Sequence, residues 1–160
     1  MSETALPEFS LKGRTALVTG AGRGIGRTLA LGLAEAGADI VAMSRSAEEL
    51  DAVASEIKER GCEASTVVCD VTETEAMRIA IAELPKLDIL INNAGTNIPE
   101  PFLDVSEESL DTLLTLNVRA AFLVAQAAAR RMLGDPGRET RGGAIVHISS
   151  QLGHVSLIDR

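Results

Sequence analysis

Five short clusters in this chain have the residue types that hold an anionic nucleotide or polarise a reacting group. They are Thr19-Gly20-Ala21-Gly22-Arg23-Gly24-Ile25-Gly26, Ser44-Arg45, Asp70-Val71, Asn92-Asn93-Ala94-Gly95 and Ile148-Ser149-Ser150. Each comes directly after an apolar or β-branched run. In the first, Gly20 permits a tight turn, Gly24 a close backbone approach, and Gly26 the packing of a helix on a strand. The helix that opens there offers unpaired N–H groups and a partial positive charge to a phosphate. The spacing is Gly-x-x-x-Gly-x-Gly; the commoner Gly-x-Gly-x-x-Gly fails because Ile25 stands at its third glycine.

The second cluster bears on which nucleotide. In a dinucleotide site, an acid about 20 residues past the glycine turn accepts from a ribose 2′-hydroxyl. Here that place holds Ser44 and Arg45, with no carboxylate. A guanidinium attracts a 2′-phosphate and can bind it through two hydrogen bonds, and Ser44 adds a hydroxyl. NADP(H) is therefore expected over NAD(H), with Arg23 within reach from the glycine turn. The competing reading makes Arg45 a solvated residue at a helix start. Arg23, Arg27 and Arg45 together would form a local basic pocket for a small anion.

Elements that deliver these clusters can be read from the pattern. Arg14–Thr19, Asp39–Met43, Ala64–Cys69, Leu87–Ile91 and Gly143–Ile148 read as strands. Gly24–Ala36 is a helix, and Ser46 with Glu49 makes a capping box for the next. Thr72 with Glu75 makes a second, for a helix ending near Pro85. Ser106 caps a long helix through about Met132, with Glu107 and Glu108 in its first turn, where the helix dipole favours acids. Asp135–Arg141 reads as a polar loop. Repeated strand–helix–strand units mean right-handed crossovers and an α/β fold of Rossmann type, a doubly wound parallel sheet with helices on both faces. Ligands of such sheets sit beyond the carboxyl ends of the strands, where all five clusters fall.

Composition excludes several classes. At 160 residues the chain suits one domain, and its 46% hydrophobic content with 2% aromatic residues implies an aliphatic core. A net charge of −8 argues against nucleic acid as a partner. No apolar run approaches the length of a membrane span, and residues 1–10 lack a signal-peptide pattern, so no membrane partner is expected and the cytoplasm is the expected compartment. Cys62 and Cys69 stand alone and read as reduced thiols. His147 and His154 have no carboxylate or cysteine at ligand spacing, so no metal site is expected.

The glycine spacing, the Asn92–Gly95 run and Ile148-Ser149-Ser150-Gln151-Leu152-Gly153, in that order, resemble the short-chain dehydrogenase/reductase family, over Leu11 to Gly153. The resemblance implies an oxidoreductase that moves a hydride between a nicotinamide and a carbonyl or secondary alcohol of a small-molecule substrate. It implies that Asp70 accepts from the adenine amino group while Val71 packs on the ring. Asn92 would hold the sheet's centre, and Ala94 and Gly95 would leave room for the cofactor ribose. Asn117, mid-helix, would hold a water through its carbonyl near the catalytic lysine. Spacing to Gly153 picks Ser150 as the catalytic serine, with Ser149 supporting it.

In the family a Tyr-x-x-x-Lys pair follows that serine by roughly a dozen residues, the tyrosine acting as acid or base. This chain contains no tyrosine. It is expected to be the cofactor-binding front of a longer enzyme, inactive by itself and poorly soluble as residues 1–160 alone. The alternative is a non-catalytic protein that senses NADP(H). Phe9–Gly13 and Thr96–Leu103 look like members acting on sugar acids or 3-oxoacyl thioesters, the former favoured. A homo-oligomer, dimer or tetramer, is expected through the helix Ser106–Met132.

Overall fold

The computed structural model describes residues 9–151 and Val155. Readings placed on residues 1–8, Leu152, Gly153 and His154 lie outside the described residues. Thr15–Thr19 (β1) is buried along its whole length, as a strand inside a parallel sheet must be. The chain continues through α1 (Gly24–Glu35), β2 (Asp39–Ser44), α2 (Ala47–Glu59), β3 (Ala64–Val68), α3 (Thr74–Ala82) and β4 (Ile89–Asn92). After a single 3₁₀ turn at Phe102–Asp104 come α4 (Glu107–Leu114), a π-helical segment (Thr115–Ala120), α5 (Ala121–Leu133), α6 (Arg138–Arg141) and β5 (Ala144–His147).

The strands form one sheet in the order β3-β2-β1-β4-β5, every pair parallel. This is the doubly wound order, and its direction reverses between β1 and β4. The two-residue period of the strands divides the core. Ala16, Val18, Ile40 and Ala42 pack with Ala30, Ala34, Leu50, Val53 and Ile57 of α1 and α2. Leu17, Val41, Met43 and Leu90 pack with Met77, Ile81, Val124, Ala128 and Met132 of α3 and α5.

At the amino edge of the sheet Asp88, 1% exposed, gathers three cations. Arg14 lies 3.6 Å away, Lys86 3.3 Å and Arg141 3.2 Å, while the Thr15 N–H donates to the carboxylate at 3.0 Å. Burial alone would raise the Asp88 carboxyl, but the Thr15 N–H, Arg141 and Lys86 outweigh it and hold it below its ordinary value.

Several sequence expectations need correction. Thr72 does not cap α3: its N–H and hydroxyl both bond the Asp70 carboxylate, at 2.9 and 2.7 Å, and the helix starts at Thr74 after Glu73. The helix expected as one piece through Met132 is broken by the π segment and runs on to Leu133. The expected loop Asp135–Arg141 contains the helical turn α6. The fifth strand is exposed throughout because it lies at the sheet's edge here. Glu107–Leu133 is, by length and a mean hydropathy of 1.4, sufficient to cross a membrane, against the reading that nothing approached a span. Its hydropathy comes from leucines, valines, a phenylalanine and alanines, and its Val124, Ala128 and Met132 belong to the core.

Candidate functional site

Beyond the carboxyl ends of the strands lies a cleft of about 1280 Å³. Its walls include Gly20, Arg23, Gly24, Ile25 and Gly26 from the turn after β1, and Ser44 and Arg45 from the end of β2. Asp70, Val71, Ala94, Gly95 and Ile148 complete the sheet side, and Glu107, Glu108, Asp111, Thr115 and Leu116 face them from the long helix. Of the residues expected to bind a cofactor only Asn92 does not line the cleft; it is buried beneath it.

The glycine turn is shaped by two neighbours. Gly20 has φ of 64°, in the left-handed region that disfavours a side chain. A Cβ on Gly26 would run into the Gly20 carbonyl and lie 2.6 Å from Asn93 Nδ2, so only glycine lets α1 start this close to β1. The Ala21 N–H donates to the Met43 carbonyl at 3.1 Å, tying the turn to the end of β2.

Thr19 and Asn93, which the sequence reading did not assign, lock the turns on either side of the switch point. The Thr19 hydroxyl, fully buried, accepts from the N–H groups of Asn93 and Ala94, both at 3.0 Å. Asn93 Nδ2 donates back to the Thr19 carbonyl at 2.9 Å. Asn92 works on the other side, donating to the Ala121 carbonyl at 2.7 Å and lying 3.3 Å from His147 Nδ1. The signals available in sequence were a threonine directly before the glycine run and a doubled asparagine at a strand end.

Charge in the cleft is mixed. Arg45, 76% exposed, lies 3.6 Å from the Asp70 carboxylate. Burial would raise the Asp70 carboxyl, but the Thr72 N–H and hydroxyl and the Arg45 guanidinium bring it down on balance, so it stays ionised. Arg27 does not join the expected basic pocket, because its guanidinium is bound to Glu56 of α2. Cys69 also lines the cleft, and burial followed by the charges of Asp70 and Glu73 pushes its thiol up. Among the described residues no group of three or more His, Cys, Asp or Glu is placed to hold a metal.

Asn117 lies in the π segment, a helical irregularity that recurs at functional sites. Its side chain is committed to Thr96, accepting from the N–H at 2.9 Å and donating to the carbonyl at 2.8 Å. Ser150 lies just past β5 and is exposed, two residues beyond Ile148 on the same edge of the sheet.

The residues fit a dinucleotide. α2 and α4 are capped by the hydroxyls of Ser46 and Ser106, whereas α1 has no side-chain cap and presents its first N–H groups bare beside the glycine turn. That end is where a pyrophosphate finds its donors.

A five-stranded sheet in this order, with a glycine turn opening α1 at the switch point, defines a Rossmann-type dinucleotide-binding fold. The short chain dehydrogenase family model matches residues 14–159, and the chain belongs to that family. It is 47% identical over 146 residues to gluconate 5-dehydrogenase of Gluconobacter oxydans, covering 89% of this chain and 55% of that protein. It is 42% identical over 147 residues to L-xylulose reductase of Mesocricetus auratus, covering 90% of this chain and 56% of that protein. Among solved structures, a gluconate 5-dehydrogenase of Burkholderia cenocepacia in complex with NADP and tartrate superposes with a TM-score of 0.86 at 40% identity, covering 97% of this chain and 60% of that one. The chain thus spans somewhat more than half the length of these relatives.

Proposed function

We propose that this chain forms the cofactor-binding part of an NADP(H)-dependent oxidoreductase acting on the carbonyl or secondary alcohol of a sugar or sugar acid. The observation that carries the reading is the bare amino end of α1, facing the cleft beside a turn that only glycines can make. The two sugar-active relatives support the substrate class.

When bound, the nicotinamide supplies or accepts the hydride. This chain's residues hold and orient it. The α1 N–H groups and the Gly20–Gly26 turn bind the pyrophosphate, and Arg45 with Ser44 meets the 2′-phosphate, leaving Asp70 as it does so. Asp70 then accepts from the adenine amino group while Val71, 8% exposed, packs beneath the ring. Ala94 and Gly95 make room for the second ribose. Ser150 hydrogen-bonds the substrate oxygen as charge develops on it. Asn117 has its side chain spent on Thr96, which leaves its carbonyl for the water that the family resemblance assigns to it. The family resemblance assigns the proton transfer to a tyrosine–lysine pair, and this chain contains no tyrosine. The protein works in the cytoplasm as a homo-oligomer built on the long helix.

Fluorescence titration of the full-length protein with NADPH and NADH tests the cofactor reading, with tighter NADPH binding expected. In Arg45→Ala the NADPH affinity should fall by about tenfold, the order of one charge-assisted contact, with NADH little affected. Tighter NADH binding in the wild type would overturn the preference. Cofactor binding with no turnover of any polyol or sugar acid would favour the sensing alternative.

A further inference from the structure

We propose that Glu49 selects the cofactor, acting as an acidic counterweight to Arg45 so that the site accepts NAD(H) beside NADP(H). The inference rests on the dinucleotide reading above and concerns the end of β2, where the adenosine ribose 2′ substituent belongs.

The Ser46 hydroxyl accepts from the Glu49 N–H at 3.3 Å, which fixes Glu49 in the first turn of α2. From there its side chain lies back over the glycine turn. A Cβ on Gly22 would fall 2.5 Å from Glu49 Oε2, 2.9 Å from Glu49 Cβ and 3.1 Å from Ser44 Oγ. Gly22, Ser44 and Glu49 are therefore one contact set, and all three line the cleft. Gly22 has a reason to lack a side chain that the glycine spacing does not supply: the carboxylate occupies that space.

Two of the three neighbouring arginines are engaged elsewhere, while Arg23 lines the cleft from the glycine turn. Arg45 is on Asp70 at 3.6 Å and Arg27 is on Glu56. Among the described residues nothing hydrogen-bonds or ion-pairs with the half-buried Glu49 carboxylate. An acceptor of this kind beside Ser44 receives a hydrogen bond from a ribose 2′-hydroxyl. It repels a 2′-phosphate, the one chemical difference between the two cofactors. Arg45 pulls the other way, so the ratio of affinities reflects both residues.

The test is calorimetric measurement of both dissociation constants for wild type, Glu49→Gln and Glu49→Ala in the full-length protein. Both variants keep the main-chain N–H that Ser46 caps, and far-UV circular dichroism checks that α2 is retained. Removing the charge should shift the NADPH-to-NADH affinity ratio toward NADPH by about fivefold or more, an effect that shrinks as salt rises. In Glu49→Ala, NADH itself should weaken as the acceptor is lost. Both cofactors binding with a ratio that moves less than about twofold in both variants sinks the role of Glu49 alone. Failure of either cofactor to bind the wild type sinks the dinucleotide reading and this inference with it.

Discussion

Asn117 grips Thr96 by both of its main-chain groups, taking the N–H at 2.9 Å and giving to the carbonyl at 2.8 Å. A side-chain amide here does what a neighbouring strand would do, and it pins the loop after β4 to the π segment. A Cβ on Gly95 would come 3.1 Å from Asn117 Oδ1, so the loop and the amide are fitted closely. Asn92 makes the matching tie to Ala121 at the far end of that segment. Asn117→Ala removes two hydrogen bonds and should cost about 1–2 kcal/mol. The Thr96 amide should exchange with solvent markedly faster, by hydrogen-exchange mass spectrometry, while the β1 amides stay protected. Unchanged exchange at Thr96 would show that the pair does not hold the loop.

The glycines of α1 should respond to alanine in opposite directions. Gly26→Ala drives a methyl group into the Gly20 carbonyl and Asn93 Nδ2, so it should lower the melting temperature and weaken cofactor binding by more than about tenfold. Gly32 is in the same helix with nothing within 4 Å of its added Cβ. Gly32→Ala should stabilise the protein by about 0.5–1 kcal/mol through helix propensity and a less flexible unfolded chain. Thermal melts of both variants decide it.

The Asp88 cluster predicts acid lability. Its carboxyl is held below the ordinary aspartate range in the folded protein, so the unfolded chain takes up protons first as pH falls. The stability it contributes is fully present above the ordinary value and is lost as pH drops through the lowered one. Glu56, Asp70 and Asp135 are shifted in the same direction, so the difference between wild type and Asp88→Asn isolates this residue. At neutral pH the variant should be less stable by roughly 2–3 kcal/mol, since its cations are about one-third exposed and partly rehydrate. That gap should begin to close as pH falls below the ordinary aspartate value of about 4 and go on closing through the lowered one. A gap independent of pH contradicts the assignment.

How much of this was legible in sequence depends on how local each feature is. β1 and β2 could be read because every residue between their ends is apolar, and the crossover rules then place the ligand edge. Half of the capping box on α2 was legible, because Ser46 and Glu49 are three residues apart and the Ser46 hydroxyl takes the Glu49 N–H, but Ser46 gives its own N–H to Ser44 Oγ and leaves the Glu49 carboxylate out of the box. The cap on α3 misled: Thr72 and Glu75 have the same pattern, but Asp70 claims both donors of Thr72 first. The Thr19 contacts to Asn93 and Ala94 join residues 74 and 75 apart in sequence, so no window could show them. Arg27 left the expected basic pocket for the same reason, its partner being 29 residues away. Exposure of β5 is a property of its place in the sheet rather than of its residues.

The long helix carries the last prediction. Leu110, Leu114, Val118 and Phe122 recur every four residues and are 47%, 49%, 61% and 66% exposed. The opposite side of the same helix supplies Val124, Ala128 and Met132 to the core. A contiguous exposed apolar stripe of this length is unusual on a monomer and suits burial against a second copy. Phe122→Asp places a charge at the carboxyl end of the stripe, on a side chain that is 66% exposed and outside the core. Light scattering coupled to size exclusion should show the full-length wild type as a dimer or tetramer and the variant as a smaller species with unchanged circular dichroism. Because burying an unpaired charge costs several kcal/mol, even a tight assembly should lose measurable affinity. An assembly unaffected by Phe122→Asp would exclude this face of the helix as the interface.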